Sequence, residues 1–137
     1  MIMPEAYVNI GSNIGHRHAN IELAVAAIKG TLDRNAKVSP PYYCEPQGFE
    51  SENTFVNVGV LLNIDLDPFE LLRRLQSIER SIDQSPHRDP EGNYVDRSID
   101  IDLITYGNWE IHSQTLTLPH PRMHERPFVL IPLVQLK

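Results

Sequence analysis

The chain has 137 residues, of which 41% are hydrophobic, and its formal net charge is −6 at pH 7. That length fits one domain, residues 1–137, with a sizeable core, and no stretch approaches the roughly 18 apolar residues of a membrane span. The negative charge argues against a protein that binds nucleic acid or a membrane surface through bulk positive charge, so local charge or metal ions must meet any anionic substrate.

The N-terminal segment and the cysteine content indicate a compartment. The first ten residues, MIMPEAYVNI, lack the basic segment and the long apolar run of a signal peptide. The single cysteine, Cys44, cannot form an internal disulfide. We therefore expect a cytoplasmic protein.

A strand and a helix are the first elements predicted along the chain. Residues 6–10 predict a short strand that runs into the sequence GSNIG, where Gly11 and Gly15 permit a turn. From about residue 18 to residue 32, apolar residues recur at helical spacing, which predicts an amphipathic helix.

Two further strands follow. Residues 37–44 predict a strand that Pro40 and Pro41 confine to a sheet edge or interrupt. The stretch TFVNVGVLLNI, residues 54–64, then alternates with period two, so that Phe55 and Asn57 share one face. The opposite face is aliphatic and consists of Val56, Val58, Val60, Leu62 and Ile64.

A second helix is predicted from about residue 68 to residue 83. Asp67 suits its N-cap, and Pro68 suits its first turn. Gln76 and Glu79 lie three residues apart on one helical face, where a solvated surface explains them as well as a site does. The polar loop DQSPHRDPEGNYVD then leads into the next predicted strand.

Two aspartates stand in that strand, whose sequence is SIDIDLI. Strand geometry places Asp100 and Asp102 on one face, about 7 Å apart. Such carboxylates repel each other and are costly to desolvate unless a cation lies between them, and hard divalent cations prefer oxygen ligands. The alternative is a half-buried strand whose aspartates face solvent, and the spacing alone does not decide between the two.

The C-terminal stretch LTLPHPRMHERPFVLIPL places basic side chains before an apolar run. Arginine has a planar fork that suits phosphate oxygens, and an imidazole can donate beside it. Taken singly, each arginine is better explained as a solvated surface residue. A zinc site formed by His120 and His124 is disfavoured, because Pro121 restricts helix formation and no cysteine stands nearby.

In family order and over nearly the whole chain, the sequence resembles the 6-hydroxymethyl-7,8-dihydropterin pyrophosphokinases of the folate pathway. The matching segments are YVNIGSNIG, YYCEPQGF, TFVNVGVLL, LLRRLQSIER, DRSIDIDLITYG and LTLPHPRMHERPFVLIPL. The resemblance implies an α+β fold, a ferredoxin-like sandwich whose mostly antiparallel sheet has helices on both faces. It also implies transfer of a pyrophosphoryl group from the co-substrate ATP to the hydroxymethyl oxygen of the pterin, with release of AMP.

The resemblance assigns a metal-binding and catalytic role to the strand aspartates. Asp100 and Asp102 match the two aspartates that hold a pair of Mg²⁺ ions between ATP and the pterin alcohol. Two divalent ions bring four positive charges, which would turn this acidic strand into an anion site. We identify no separate general base, and Asp102 is a candidate proton acceptor.

The resemblance also implies a set of pterin contacts. Phe55 and Phe128 match two aromatic residues that sandwich the flat pterin, and Asn57 matches an asparagine that donates to and accepts from its edge. For the two phenylalanines the alternative is core packing. The other substrate-binding candidates match a loop that contacts the pterin largely through its backbone: Cys44, Glu45, Pro46 and Gln47. Cys44 replaces a threonine of the family, so no hydroxyl is present there.

Six residues match nucleotide contacts of the family. They are Gln76, Glu79, Arg97, Thr117, His120 and Arg126. Arg97 is a catalytic candidate as well. Phosphoryl transfer asks a protein mainly for positioning and charge stabilisation, so such a cluster suffices without a covalent nucleophile.

The loop after the second helix departs from the family. Many relatives carry a glycine–arginine pair and a second arginine there, whereas this chain has DQSP at residues 83–86. Arg88 is then the catalytic candidate that replaces the missing charge. The departure leaves open a relative that binds pterin or nucleotide with weakened catalysis. A ferredoxin-like interaction module is disfavoured by the order of the matches.

The resemblance also indicates which kinds of molecule the protein binds. It implies small-molecule substrates, with no nucleic acid and no membrane. Functional coupling to the next folate-pathway enzyme is a further expectation.

Overall fold

A computed structural model describes residues 3–44, 54–83, 90–91 and 96–137. Three α-helices lie in this part of the chain: α1 (Arg17–Thr31), α2 (Pro68–Ile82) and α3 (Pro127–Leu136). The strands are β1 (Glu5–Ser12), β2 (Lys37–Val38), β3 (Tyr42–Cys44), β4 (Phe55–Asn63), β5 (Asp100–Tyr106), β6 (Ile111–His112) and β7 (Thr117–Leu118). A short 3-10 helix, Met123–Glu125, precedes α3.

The main sheet has the strand order β2-β4-β1-β5, and β3 pairs with β4 as well. Every pairing among the described strands is antiparallel. Two strand–helix–strand halves, β1-α1-β2 and β4-α2-β5, therefore interleave in one sheet. The expected α+β fold with a ferredoxin-like antiparallel sheet is confirmed. The prolines at 40 and 41 separate β2 from β3 at the sheet edge, as the sequence predicted.

One face of the sheet packs against α1 and α2. The aliphatic face of β4 lies in this core together with Val8 and Ile10 of β1, and Leu71 and Leu75 of α2 are fully buried against it. The first turn of α2 is capped as expected, because the Asp67 side chain accepts hydrogen bonds from the backbone N–H groups of residues 69 and 70. The alternation of apolar residues in the strands and the apolar stripe of each helix therefore explain why α1 and α2 pack on this face of the sheet.

The opposite face packs against α3. Tyr7, Leu61 and Ile104 of the sheet form a second buried cluster with Met123 and Val129. The helices thus cover both faces, as expected. Within the described residues, no helix has the length and apolar character needed to span a membrane.

Gly11 lies inside β1, so the prediction that it forms a turn was wrong. It pairs with Asn57 of β4 on one side and with Asp100 of β5 on the other. A Cβ atom at Gly11 would lie 2.7 Å from Asn57 Oδ1, which is closer than real Cβ contacts. Gly11 thus leaves space for a neighbouring side chain, whereas Gly15, at φ +70°, makes the turn.

A second glycine, Gly59 of β4, lets α3 approach the sheet. A Cβ atom there would lie 2.6 Å from Tyr7 Oη and 3.0 Å from Pro132 Cβ. We expect Gly59→Ala to lower the free energy of unfolding by about 1–3 kcal/mol, because α3 or Tyr7 must move. Urea denaturation measures this change.

Gly30→Ala is the matched control for that substitution. Gly30 lies near the end of α1, and an added Cβ atom meets nothing within 4 Å. Alanine in an exposed helix raises stability by roughly 0.5–1 kcal/mol relative to glycine. Equal effects of the two substitutions would contradict the close contact between α3 and β4.

Candidate functional site

Two strands, β4 and β5, carry predicted site residues on the sheet face that α3 packs against, and β1 lies between them. Asn57 and Asp100 are both register partners of Gly11, and Asp102 is the register partner of Asn9. Because neighbouring strands lie about 4.8 Å apart, the backbones of Asn57 and Asp100 are separated by roughly 10 Å. The strand aspartates and the predicted pterin residues therefore share one surface.

The two aspartates are half-buried and close enough to affect each other's ionisation. Burial raises the pKa of the Asp102 carboxyl well above its ordinary value, and the neighbouring Asp100 charge raises it further. The positive charge of Arg126 acts in the opposite direction. The net effect on Asp102 is a raised pKa, so a cation bound beside this carboxyl would favour its charged form.

The donor set suits magnesium. Among the described residues, no group of three or more histidine, cysteine or acidic side chains could hold a metal ion. Magnesium is commonly held by one or two carboxylates together with water and substrate phosphates. Asp100 and Asp102 fit that mode of binding.

Arg97, predicted to contact phosphate, is only 4% exposed and lies among acidic groups. Its Nη2 atom is 3.6 Å from Glu79 Oε1, and its Nε atom is 3.9 Å from Asp83 Oδ2. The two carboxylates are themselves fixed, because Glu79 accepts a hydrogen bond from the Ile101 N–H and Asp83 accepts one from the Ser98 N–H. The guanidinium is thereby held at the base of β5.

The hydrogen-bonding capacity of Arg97 is not used up by these contacts. Its Nε and Nη1 atoms are buried and have no hydrogen-bond partner among the described groups. Buried polar atoms of native proteins are usually paired, so unused donors of a cation point to an anionic ligand.

A cleft of about 660 Å³ opens beside Arg97, between α2, β5 and the segment before the short 3-10 helix. Six of the predicted site residues line it: Gln76, Glu79, Arg97, Asp102, Thr117 and His120. The volume suits a ligand the size of a nucleotide. Glu79 is buried, so the alternative of a solvated helix face is wrong for this residue.

His120 lines the cleft, and Arg126 contacts the ring of Phe128. Burial lowers the pKa of His120, and the charges of Arg126 and Arg122 lower it further, which favours the neutral imidazole. Its Nδ1 atom accepts a hydrogen bond from the Arg122 N–H at 3.2 Å. In a neutral ring with Nδ1 accepting, Nε2 carries the proton and can donate to a ligand.

The residues predicted to bind pterin form two groups. In the first, the Asn57 side chain donates to Cys44 Sγ at 3.4 Å, and Cys44 is the register partner of Phe55. In the second, the Arg126 guanidinium carbon lies 5.5 Å from the centre of the half-buried Phe128 ring. Phe128 is therefore part of a cation–π contact next to the aspartates.

Four predicted site residues lie outside the part of the chain that the structure describes. They are Glu45, Pro46, Gln47 and Arg88.

Sequence reasoning missed the asparagines that support the site. The Asn13 side chain accepts from the Arg97 N–H at 2.7 Å and donates to Asp96 at 2.6 Å. The Asn9 side chain donates to the Phe128 carbonyl at 2.8 Å. Each is a polar residue in or beside an otherwise apolar buried strand, which is the signal that could have identified them.

A family model described as 7,8-dihydro-6-hydroxymethylpterin-pyrophosphokinase matches residues 7–137. A 2-amino-4-hydroxy-6-hydroxymethyldihydropteridine pyrophosphokinase of Porphyromonas gingivalis is 37% identical over 132 residues, which cover 96% of this chain and 89% of the relative. A protein of the same name from Bacillus subtilis is also 37% identical, with 96% of this chain and 77% of the relative covered.

The fold is similar to that of a larger solved structure. A crystal structure of HPPK-DHPS in complex with substrates matches with a TM-score of 0.73 and 13% sequence identity. The match covers 98% of this chain but only 40% of the other chain. At this identity the likeness supports the fold alone.

Proposed function

The chain belongs to the 7,8-dihydro-6-hydroxymethylpterin pyrophosphokinase family, a pyrophosphokinase family of folate biosynthesis, and we propose a specific reaction for it. The protein transfers the pyrophosphoryl group of ATP to the hydroxymethyl oxygen of 6-hydroxymethyl-7,8-dihydropterin, with magnesium, and releases AMP. The observation that carries this proposal is the shared sheet face, on which Asp100 and Asn57 lie on either side of Gly11 and Asp102 lies beside Asn9.

The cleft beside β5 is the proposed ATP site. Arg97 supports this assignment, because its buried Nε and Nη1 atoms are unused donors that phosphate oxygens could accept from. His120 and Arg126 contribute donors on the side facing Asp100 and Phe128, and Gln76 and Thr117 lie farther along the cleft. The phosphate chain then points towards the aspartates.

The pterin site lies where Phe55, Asn57 and Phe128 surround the sheet face. A flat heterocycle between two aromatic rings gains stacking energy, and an amide at its edge can both donate and accept. In this proposal the Asn57 amide exchanges its weak contact with Cys44 Sγ for stronger partners on the ligand.

Transfer requires the two ligands to meet at Asp100 and Asp102. The hydroxymethyl oxygen attacks the β-phosphorus of ATP and loses its proton, for which Asp102 is the candidate acceptor. The bond from that phosphorus to the oxygen that bridges the α- and β-phosphates breaks, so that AMP leaves. When bound, two Mg²⁺ ions would neutralise phosphate oxygens as this charge moves. The contribution of Arg97 and Arg126 is a fixed positive charge beside the same oxygens.

A coupled assay for AMP tests the reaction directly. We expect AMP and the pterin diphosphate to form in equal amounts when ATP, magnesium and the hydroxymethyl pterin are all present, and neither to form when one is omitted. Binding of both ligands without AMP would instead favour the alternative, a relative with weakened catalysis. That alternative rests on the changed loop, in which the role of Arg88 stays a prediction.

The pterin residues can be tested by ligand selectivity. We expect Phe128→Ala and Asn57→Ala to weaken pterin binding by about tenfold or more, because each removes a contact worth roughly 1–2 kcal/mol. Binding of a nonhydrolysable magnesium–ATP analogue changes little, because these contacts act on the pterin alone. Calorimetry with each ligand measures both affinities. Equal losses for the two ligands would indicate a general folding defect.

Coupling to the next enzyme of the pathway is also proposed. The solved HPPK-DHPS chain joins a part similar in fold to this chain with a further part. In this protein, such coupling would be between separate chains or domains, and co-purification tests it.

A further inference from the structure

We propose that Asn9 is a positioning residue for the pterin site: its amide replaces a hydrogen-bond donor that Pro132 removes from α3, and thereby holds Phe128 at a fixed place on the sheet. The inference rests on the proposed function for the role of Phe128. It adds a residue that does not line the nucleotide cleft.

The first step is a gap in the hydrogen bonding of α3. In an α-helix the carbonyl of residue i accepts from the N–H of residue i+4, so the Phe128 carbonyl would accept from residue 132. That residue is Pro132, which lies inside the helix and has no N–H. The Phe128 carbonyl needs another donor, because a buried unpaired carbonyl is costly.

The second step is that β1 supplies the donor. The Nδ2 atom of Asn9, a residue only 3% exposed, lies 2.8 Å from the Phe128 carbonyl oxygen. Two residues earlier on the same face, the Tyr7 hydroxyl donates to the Val129 carbonyl at 2.6 Å. Burial raises the pKa of Tyr7 to about 12, so its hydroxyl stays protonated and keeps donating. Two successive carbonyls in the first turn of α3 are thus fixed to one strand.

The third step connects this contact to the reaction. Asn9 is the register partner of Asp102 on β5. A single residue therefore links the strand that carries the aspartates to the turn of α3 that carries Phe128. The pterin must lie against Phe128 while its hydroxymethyl group reaches the aspartates. The Asn9 contact therefore sets the distance between the Phe128 ring and the two carboxylates.

Packing alone does not explain an asparagine at this position. A buried amide costs free energy unless its polar atoms are paired, and Asn9 is buried on the sheet face that α3 covers. The amide is therefore explained by its partner, the carbonyl left without a helical donor.

The test is a cycle of three variants: Asn9→Ala, Pro132→Ala and the double variant. Asn9→Ala should lower pterin affinity by about tenfold, the order expected when a buried carbonyl loses its donor. Its affinity for the nonhydrolysable magnesium–ATP analogue should change less than about twofold. Pro132→Ala restores an N–H at residue 132, so the double variant should recover pterin affinity to within about threefold of the parent protein.

Recovery of pterin affinity in the double variant is a result that a packing role of Asn9 could not give. If Asn9 only fills space, removing side-chain atoms at Pro132 as well enlarges the defect, and the double variant binds pterin no better than Asn9→Ala. That result, or equal losses for pterin and nucleotide, would overturn the proposal. Parent protein that binds no pterin at all would overturn the proposed function instead, which separates the two failures.

Discussion

Asp102→Asn is expected to lower the rate of pyrophosphoryl transfer by about 100- to 1000-fold while the protein still folds. The change keeps the size of the side chain and removes a charge that, in the proposed mechanism, binds metal and stabilises the transition state. Asp100→Asn should have a similar effect, because the two carboxylates act on the same ions in the proposed mechanism. Initial rates of AMP formation at saturating ATP and magnesium measure the loss.

The same substitution should raise the melting temperature of the unliganded protein. Asp102 is destabilised by burial and by the charge of Asp100, so replacing one carboxylate relieves both effects. Asp65→Asn is a matched control, since Asp65 is exposed and lies outside the cleft. Near-normal turnover of an Asp100→Asn, Asp102→Asn double variant would show that the metal assignment is wrong.

Arg97→Ala is expected to have the second largest effect, because Arg97 lies in a buried ion-pair cluster and is also proposed to contact ATP. Removing one partner from a buried ion pair typically costs about 3–5 kcal/mol. Here the loss leaves Glu79 and Asp83 buried without their shared cation. Urea denaturation and titration with the ATP analogue measure the two effects.

A further variant separates these effects. In Arg97→Ala combined with Glu79→Gln and Asp83→Asn, the amide oxygens can still accept from the Ile101 and Ser98 N–H groups, and the two negative charges that faced Arg97 are removed with it. Most of the stability should return, whereas nucleotide affinity should stay low. Recovery of nucleotide affinity in this variant would argue against a direct phosphate contact.

An exposed ion pair provides the control for Arg97. Arg74 lies 3.3 Å from Glu70 on the surface of α2, with 49% of its side chain exposed. Solvent screens such pairs, so Arg74→Ala should cost less than about 1 kcal/mol and leave nucleotide binding unchanged. If both substitutions lowered the free energy of unfolding by a similar amount, burial would not explain the effect of Arg97→Ala.

Local patterns in the sequence determined most of the fold. The alternation of β4 identified its buried face correctly, and the spacing of apolar residues located α1 and α2 to within one or two residues. These predictions succeed because side chains return to the same face every two residues in a strand and about every 3.6 residues in a helix, whatever the element packs against. The placement of Asp100 and Asp102 on one face of β5 follows from the same strand geometry.

The error at Gly11 shows where local reasoning stops. Glycine is common in turns, but this glycine lies within a strand, where Asn57 of the neighbouring strand occupies the space that a Cβ atom would need. Only the register between β1 and β4 decides this.

The supporting contacts of the site depend on tertiary structure in the same way. Asn9 and the Phe128 carbonyl are 119 residues apart in sequence, and Asn13 and Arg97 are 84 apart. Propensity and periodicity predict which residues are buried, but they do not predict which polar groups form hydrogen bonds with them. A hydrogen bond forms only over about 3 Å, so its partner is decided by strand register and by how α3 docks on the sheet. Local patterns therefore predict the helices, the strands and the position of the two aspartates, whereas the packing of β1, β4, β5 and α3 specifies which side chains support the site.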